Sequence, residues 1–454
     1  MVEAAGAPDL SRQLIVEATV WARMIELKRS LRVRDGLAMV VGIMVGSGIF
    51  RTPGGVASQL GRPGLTFFAW LLGGIVAFMG CLIFAELATR YPQAGGKYVY
   101  AREAFGPRMG FVVGWVEAVI YIAAIAAIAV VCGEYLGRLI GASDNAAQWL
   151  GVALLVLFTG VNLTGVASGR WVQNISTTLK VAGLVVVVIA AFARGTGVGW
   201  STSLPSAPHG AALFGAMAIA FQSVVWSYYG YLDGGKIAEE VLEPSTSLPR
   251  IYLGGITLVT VLYLALNAAY VHVLPLDKVA ASKLVAADVM TALFGQAAGV
   301  AFLALSLLVV IASLNGNIFV TPRVIFGLAR EGLGPRDLAR VNAGGTPWAA
   351  MTLVGATAIL LALSGTFEQL LALTITLILI VDSIAVLALV VARRKRPDAP
   401  FRAPGYPALP IVFIAIYAAL FLGTAVAQPT VVIISVAVMI LTYALSTFSV
   451  SMQR

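Results

Sequence analysis

Apolar runs of membrane-spanning length alternate with short polar segments along almost the whole chain. A helix needs about 20 apolar residues to cross a bilayer, so each run predicts one transmembrane helix. We therefore predict an all-α polytopic membrane protein with twelve spans. The predicted spans are residues 36–60, 65–89, 111–140, 147–164, 171–193, 211–242, 251–274, 297–326, 347–364, 368–392, 408–426 and 430–450.

Spans 1 and 6 are each interrupted by small and polar residues at mid-membrane depth. Span 1 contains GIMVGSGIF at 42–50, with Gly-Ser-Gly at 46–48, and span 6 contains WSYYGYLDGG at 226–235. Lipid offers no hydrogen-bond partner to an unpaired amide or carbonyl, so a helix that stops there must line a protein-walled cavity. Broken helices at matching positions of two halves indicate the substrate site of a transporter.

Each broken helix opens a group of five spans, which predicts two structural repeats. Because five is odd, the second group enters the membrane from the opposite side, so the repeats have inverted topology. The predicted units are a cytoplasmic N-terminal segment at 1–34, a first repeat at 35–194, an inverted second repeat at 211–392 and two additional helices at 407–450. Within the N-terminal segment, apolar residues at helical spacing predict an amphipathic helix on the membrane surface.

Basic residues are distributed unevenly between the two sides of the predicted topology. Placing the N-terminus and every second loop on one side puts 23 of the 30 Lys and Arg residues there. Cytoplasmic loops carry the excess of basic residues, so both termini are predicted to be cytoplasmic in a multi-pass protein of the cell membrane. The net charge of +9 is thus explained by topology and does not indicate a nucleic-acid partner.

The composition argues against several functional classes. Only 11% of the 454 residues are charged and 59% are hydrophobic, whereas soluble domains carry about 25% charged residues. The two cysteines and two histidines give no metal-ligand spacing, and no GxxxxGKS or GxxxxGKT motif is present to bind nucleotide phosphates. We therefore predict no metal, no cofactor and no enzymatic activity. An ion channel is not favoured either, because nothing resembles a ring-forming filter.

The backbone groups freed at the two breaks suit a small zwitterion. In span 1, the amides of Gly46, Ser47 and Gly48 lie at the N-terminus of a half-helix, where backbone donors and the helix dipole favour a carboxylate. In span 6, the carbonyls of residues 226–229 lie at the C-terminal end of a half-helix, which favours an ammonium group. A carboxylate site facing an ammonium site describes an α-amino acid.

Four stretches along the chain carry a family pattern. They are GSGIF at 46–50, AELATRYPQAGG at 85–96, SLNG at 313–316 with PR at 322–323 and AREG at 329–332, and FRAPGYP at 401–407. These stretches resemble the amino acid permeases of the amino acid–polyamine–organocation superfamily, in particular those of the LAT-like type. The resemblance implies the LeuT-type fold and transport by alternating access.

The resemblance also implies roles for residues at both breaks. Trp226 is similar to the large aromatic residue that covers bound substrate as a gate, and the Met44 carbonyl matches an amine ligand. Leu232 stands where some relatives place a polar or acidic residue, which favours a small or apolar substrate side chain. The predicted substrate-binding residues are Met44, Gly46, Ser47, Gly48, Trp226, Ser227, Tyr229 and Gly230.

Lys180 and Glu117 are candidates for energy coupling because both are ionisable residues within spans. Lys180 lies about ten residues from the inner end of span 5, roughly 15 Å of helix rise, and such intramembrane groups usually face the protein interior. In sodium-independent members that this chain resembles, a span 5 lysine occupies the place of a bound sodium ion. Lys180 therefore predicts either proton coupling, if it releases and regains a proton, or a fixed cation suited to exchange. Glu117 in span 3 is a candidate for pairing with a cation or carrying protons.

The leading prediction is a secondary transporter of neutral L-amino acids that works without sodium, by proton symport or exchange. Its predicted partners are the amino acid, protons and the lipid bilayer, while the oligomeric state stays open. A cationic amino acid or polyamine carrier is the alternative within transport, which Leu232 and the scarcity of acidic residues in the spans disfavour. A sensor that binds an amino acid without moving it also fits the sequence.

Overall fold

The computed structural model describes residues 31–93, 96–164, 170–235, 238, 240–342 and 345–451. The predicted N-terminal surface helix lies outside these residues. Within them, all regular secondary structure is helical apart from one isolated parallel bridge between Leu31 and Val241. The prediction of an all-α polytopic membrane protein is thereby confirmed.

Sixteen α-helices follow one another along the described residues. They are α1 (Val33–Met44), α2 (Ser47–Leu60), α3 (Pro63–Arg90), α4 (Lys97–Phe105), α5 (Pro107–Ile140), α6 (Asp144–Leu163), α7 (Arg170–Arg194), α8 (Ala211–Tyr228), α9 (Pro244–Val273), α10 (Leu276–Ala281), α11 (Val285–Phe294), α12 (Gln296–Arg330), α13 (Trp348–Ser364), α14 (Phe367–Lys395), α15 (Ala408–Ala427) and α16 (Pro429–Ser451). Short 3₁₀ helices cover Val198–Ser201, Tyr231–Gly235 and Arg336–Ala339.

Most of these helices have the length and composition of membrane spans. Among the described residues, ten helices are long and apolar enough to cross a bilayer, and the bent pair α1–α2 makes an eleventh span if it is counted as one. Helix α13 occupies predicted span 9 but has 17 residues, slightly below the usual length of about 20. The count of twelve spans and the five-plus-five repeat therefore stay predictions.

Helix α5 runs through the centre of the bundle, and the helices around it face lipid. In its most apolar 18-residue window 78% of the residues are buried, against 28% in α6 and 17% in α16. Helix α5 packs against α6, α12 and α14. On peripheral helices large apolar side chains point outward, with Ile189, Leu360 and Ile440 each about two-thirds exposed. Such exposed apolar surface suits lipid tails, which are as apolar as the side chains themselves.

Span 6 has a shorter second half than the predicted range of 211–242 implies. Helix α8 ends at Tyr228, a 3₁₀ helix covers Tyr231–Gly235, and Val241 already lies in the bridge with Leu31. Two adjacent glycines at 234–235 disfavour a longer helix, because glycine costs about 1 kcal/mol relative to alanine in a helix interior.

Candidate functional site

The first break lies between α1 and α2. Met44 ends α1 and Ser47 begins α2, and the two helices are bent by 43° relative to each other. The Gly46 amide turns back and donates to the Met44 carbonyl oxygen at 2.9 Å. The first amides of α2, including those of Ser47 and Gly48, have no acceptor within the helix. They therefore lie free at the positive end of the helix dipole.

The second break follows α8. Tyr229 has an extended backbone, and Gly230 has a φ of +127°, which side-chain-bearing residues rarely adopt. The helix therefore ends at the Tyr-Gly pair that the sequence indicated. The last carbonyls of α8, among them those of Trp226 and Ser227, have no amide partner within the helix. They lie at the negative end of its dipole.

The two breaks contact each other. A Cβ atom added to Gly48 would lie 2.5 Å from the Cα atom of Ser227, and one added to Gly230 would lie 3.3 Å from the Met44 amide nitrogen. The first distance is too short for any side chain, so glycine at position 48 permits this close approach. The unwound segments of α1–α2 and α8 thus form one site.

A threonine that the sequence analysis did not single out links the two breaks. The Thr52 hydroxyl lies 2.9 Å from the Gly48 carbonyl oxygen and 2.7 Å from the Ser227 hydroxyl. The Ser227 hydroxyl in turn donates to the Ser223 carbonyl at 2.9 Å. These bonds connect α2 to α8 at the level of the breaks.

Tyr263 on α9 is a second residue that the sequence analysis missed. Its buried hydroxyl lies 2.8 Å from the Met44 carbonyl oxygen and 3.1 Å from the Ser227 carbonyl oxygen. The sequence did contain one signal for this contact, namely a tyrosine in an apolar span. A buried tyrosine hydroxyl usually finds a hydrogen-bond partner, so such a residue indicates a polar contact inside the bundle. The Met44 carbonyl also accepts from the Gly46 amide, so both of its lone pairs are used in this conformation.

A cavity of about 80 Å³ lies where the breaks meet. One water molecule needs at least about 10–15 Å³, so the cavity suits a small guest. Ser227 lies behind the cavity wall and is fully buried. The other seven predicted substrate-binding residues line the cavity: Met44, Gly46, Ser47, Gly48, Trp226, Tyr229 and Gly230.

Apart from Ile43 on α1, the remaining cavity wall comes from three helices and combines apolar with uncharged polar side chains. None of the described lining residues is Asp, Glu, Lys or Arg. Asn315, by contrast, pairs with Asn162 at 2.7 Å. The lining residues are Ile120, Tyr121, Ala124 and Ile128 on α5, Ser313 and Asn317 on α12, and Thr374 on α14.

Trp226 is covered by a stack of side chains that leads away from the cavity. Its ring meets the Phe367 ring edge-on, with the centroids 6.1 Å apart and the planes at 85°. The Arg51 guanidinium lies 5.0 Å above the Phe367 ring. Trp226 is therefore placed to close one end of the cavity.

The Arg51 cluster, which consists of Arg51, Glu134, Lys283 and Glu368, lies above this stack. Arg51 donates to Glu134 at 2.7 Å and to Glu368 at 2.8 Å, and Lys283 pairs with Glu134 at 3.0 Å. The cluster ties α2 to α5, to α14 and to the segment between α10 and α11.

The Lys97 cluster, which consists of Lys97, Glu117 and Asp382, lies near Tyr229. The Lys97 ammonium is 3.0 Å from Asp382, 3.6 Å from Glu117 and 2.5 Å from the Tyr229 hydroxyl. Glu117, a predicted coupling residue, is therefore part of a buried ion-pair group. Asp382 had no assigned role from the sequence, because its partner is 285 residues away along the chain.

The two clusters lie at opposite ends of the cavity. Glu117 and Glu134 belong to the same helix, and 134 − 117 = 17 residues of helix correspond to about 26 Å. The α5 residues that line the cavity, from Ile120 to Ile128, lie between these two carboxylates. Likewise, Thr374 lies between Glu368 and Asp382 on α14.

Lys180 reaches the first break from α7. Its side chain is buried, and its ammonium donates to the Gly42 carbonyl oxygen at 3.3 Å. Gly42 lies in the last turn of α1, at the negative end of the helix dipole. Lys180 therefore caps the half-helix that ends at the break.

Helices broken around a cavity within a bundle of membrane spans are typical of membrane transporters. The chain belongs to the amino acid permease family, because residues 33–451 match the model of that family. The predicted resemblance to permeases of the amino acid–polyamine–organocation superfamily is thereby confirmed.

Similar proteins of known function are also amino acid transporters. The serine/threonine exchanger SteT of Bacillus subtilis (strain 168) is 29% identical over 401 residues, which cover 86% of this chain and 89% of SteT. The b(0,+)-type amino acid transporter 1 of Mus musculus is 28% identical over 89% of this chain and 84% of its own length. The large neutral amino acids transporter small subunit 2 of Mus musculus is 28% identical over 93% of this chain and 81% of its own length. The protein is therefore a membrane transporter of amino acids and not an enzyme.

Proposed function

We propose that this protein moves small neutral L-amino acids across the cell membrane by alternating access, without sodium, through exchange or proton symport. The observation that supports the proposal most is the contact between the two breaks at one cavity. Unpaired amides at the start of α2 would bind the substrate carboxylate, and carbonyls at the end of α8 would bind its ammonium group. Among the residues at this helix end, Trp226 lines the cavity.

The composition of the cavity wall favours a substrate with a small, neutral side chain. A cationic substrate would require a carboxylate in the wall, since a buried charge is costly without a partner, and the described lining residues provide none. Ser313, Asn317 and Thr374 offer hydroxyl and amide groups that suit a short polar side chain. The name of the similar exchanger SteT, which refers to serine and threonine, makes these two amino acids the first to test.

Lys180 supports independence from sodium. Its ammonium already lies against the carbonyl end of α1, so a sodium ion there would be repelled at close range. Exchange requires only that this cation stays in place, whereas proton symport requires some group near the breaks to bind and release a proton.

The repeats and the orientation complete the proposal. We assign the two repeats to 35–194 and 211–392, with 1–34 and both termini on the cytoplasmic side and the helices of 407–450 outside the repeats. In this orientation the Arg51 cluster closes the outer end of the cavity, with Trp226 as the gate beneath it. The Lys97 cluster then closes the cytoplasmic end.

Uptake and exchange in proteoliposomes test the function. We expect preloaded serine or threonine to exchange for external labelled serine equally well in sodium and in choline buffer. The methyl ester of serine should compete poorly, because it lacks the carboxylate. Saturable binding without uptake or exchange would instead identify a sensor, and uptake that requires sodium would contradict the role of Lys180.

The Lys180→Ala variant tests the coupling role directly. We expect it to lose most sodium-independent exchange or to change the pH dependence of exchange, because the end of α1 loses its cation. Lys278→Ala, at an exposed lysine on α10, is the matched control and should behave as wild type. Unchanged exchange by Lys180→Ala would exclude Lys180 as the coupling residue.

A further inference from the structure

The Lys97 cluster places two carboxylates against one ammonium in a dry site. No side chain in the cluster is more than 4% exposed. If all three groups are ionised, their formal charges sum to −1. An excess charge in a buried site is costly, and proteins usually remove it by binding a proton.

A second observation points to the same conclusion. Asp382 is fully buried, and its Oδ2 atom has no partner with good hydrogen-bond geometry among the described residues, although the Tyr417 hydroxyl lies beside this carboxylate. An ionised carboxylate accepts hydrogen bonds at both oxygens, and a buried charged acceptor without a donor is more costly than a neutral one. A proton on Asp382 or on Glu117 would remove this excess charge.

Other titratable side chains lie around the cluster among the described residues, and each of them carries a hydroxyl or a thiol, so Lys97 is the basic residue of this group. Those beside the cluster are Tyr100 on α4, Tyr121 on α5, Tyr229 and Tyr231 at the second break, and Tyr417 on α15, while Cys81 on α3 lies beside Tyr231.

The cluster is also connected to the substrate cavity. The Tyr229 hydroxyl accepts from the Lys97 ammonium, and the Tyr121 hydroxyl lies 3.5 Å from Glu117. Both tyrosines line the cavity. A change in the charge of the cluster is therefore transmitted through two side chains that contact the substrate space.

We propose that the Lys97 cluster is a proton-binding site that links cytoplasmic pH to opening of the cytoplasmic end of the cavity, an inference that rests on the proposed transport function. With both carboxylates ionised, Lys97 holds α4 against α5, α14 and the second break. A proton taken from cytoplasmic water onto one carboxylate leaves a single carboxylate to hold Lys97. The link from α4 to Tyr229 then weakens, so acidification of that side speeds opening.

Infrared spectroscopy of the full-length protein in bilayers tests the site without relying on transport. When the pH is raised stepwise from acidic to alkaline, we expect the C=O band of a protonated carboxyl to disappear, and we expect it to return when the pH is lowered again. Asp382→Asn or Glu117→Gln should remove this band. Asp337→Asn, in an exposed surface pair with Arg340, is the matched control and should retain it.

The pH dependence of exchange in proteoliposomes tests the link to opening. Wild-type exchange should rise as the internal pH falls, by up to about tenfold per pH unit, which is the limit for one bound proton, while Asp382→Asn should vary by less than about twofold. If Asp382→Asn does not fold, Glu117→Gln replaces it, because it leaves Lys97 paired with Asp382 alone.

Each outcome decides a separate claim. A band that persists in both amide variants, or no titrating band at all, overturns the proton site. Normal exchange that does not depend on internal pH overturns the link to opening and leaves the proposed function intact. A titrating band in a protein that shows no uptake or exchange overturns the proposed function and the link to opening, and leaves the proton site.

Discussion

The two ion-pair clusters at the ends of the cavity differ most in their contact with water. In the Arg51 cluster, Glu368 and Lys283 are 63% and 53% exposed around a largely buried Arg51–Glu134 pair, whereas no side chain of the Lys97 cluster exceeds 4%. Exposed ion pairs contribute about 0–1 kcal/mol, but removing one partner of a buried pair costs about 3–5 kcal/mol. The Arg51 end is therefore the easier of the two to open.

The end that contains the Lys97 cluster is also closed by a second layer. Glu86 at the end of α3 is fully buried and pairs with Arg90 at 2.6 Å and with Arg393 at 2.5 Å. Its other contact is the Ala403 amide, which donates at 2.8 Å. This layer anchors the segment between α14 and α15 beneath the bundle. The end of the cavity at the Lys97 cluster is therefore closed by two layers of buried ion pairs. The end at the Arg51 cluster is closed by one cluster that is partly exposed to water.

The largest effect on this comparison should come from Lys97→Met. The substitution leaves Glu117 and Asp382 buried without their ammonium, which should destabilise the protein by about 3–5 kcal/mol. Thermal unfolding in detergent would show a lower midpoint, and adding Asp382→Asn should recover part of the loss. Lys278→Met is the control at an exposed position. An unchanged midpoint for Lys97→Met would mean that the Lys97 cluster does not hold this end closed.

Arg51→Met should have the next largest effect. Arg51 makes hydrogen bonds to two carboxylates, and bonds to charged groups are worth about 1.5–3 kcal/mol each, but Lys283 remains to neutralise Glu134. We expect faster release of bound substrate and a lower thermal midpoint, with a smaller loss of stability than in Lys97→Met. Arg138→Met, in an exposed pair with Asp288, should release substrate at the wild-type rate. Equal release by Arg51→Met would show that this cluster does not limit opening.

Trp226 and Phe367 should act together as a cover, with a smaller effect. An edge-on aromatic pair is worth about 0.5–1.5 kcal/mol beyond its buried area. A double-mutant cycle with Trp226→Ala and Phe367→Ala, read from substrate dissociation rates, should give a coupling energy in that range. Folding should be retained, as judged by gel filtration. If the effects of the two substitutions on the dissociation rate are strictly additive, Phe367 is not part of the gate. If Trp226→Ala releases substrate at the wild-type rate, Trp226 is not the gate.

Glu368→Gln should have the smallest effect. Its carboxylate is the most exposed member of the Arg51 cluster, so its pair with Arg51 should contribute at most about 1 kcal/mol and weaken with salt. We expect a modest increase in the substrate release rate at low ionic strength that disappears at high ionic strength. An effect that is as large as that of Arg51→Met and independent of salt would show that the Arg51 cluster is as dry as the Lys97 cluster.

Much of the fold could be predicted because lipid restricts the choices of the chain. A span is recognised by the length of its apolar run, and the breaks were predicted because Gly46, Gly48 and Gly230 combine small size with mid-membrane depth. The structure places seven of the eight predicted substrate residues on one cavity. The depth of Lys180 likewise predicted an internal contact, and its ammonium does reach α1.

Other parts of the site could not be predicted, because they depend on which faces of distant helices meet. Tyr263 and Thr52 looked like ordinary span residues, and only the packing of α9 and α2 brings their hydroxyls to the breaks. The second half of span 6 was predicted too long, because apolar composition alone does not reveal where a helix ends. The facing of Ser313 was equally hidden, since the hydrophobic pattern of α12 surrounds the helix.

The sequence by itself determined the membrane class, the position of both breaks and the backbone chemistry freed there. These properties depend on neighbouring residues and on a solvent that cannot hydrogen-bond. Only the tertiary structure decided that Lys97 forms ion pairs with both Glu117 and Asp382. These residues belong to different helices, and they come within contact distance only when the helices pack. The same packing buries the ion pairs at one end of the cavity and leaves those at the other end partly exposed to water. That difference in exposure governs how strongly the ion pairs keep each end closed.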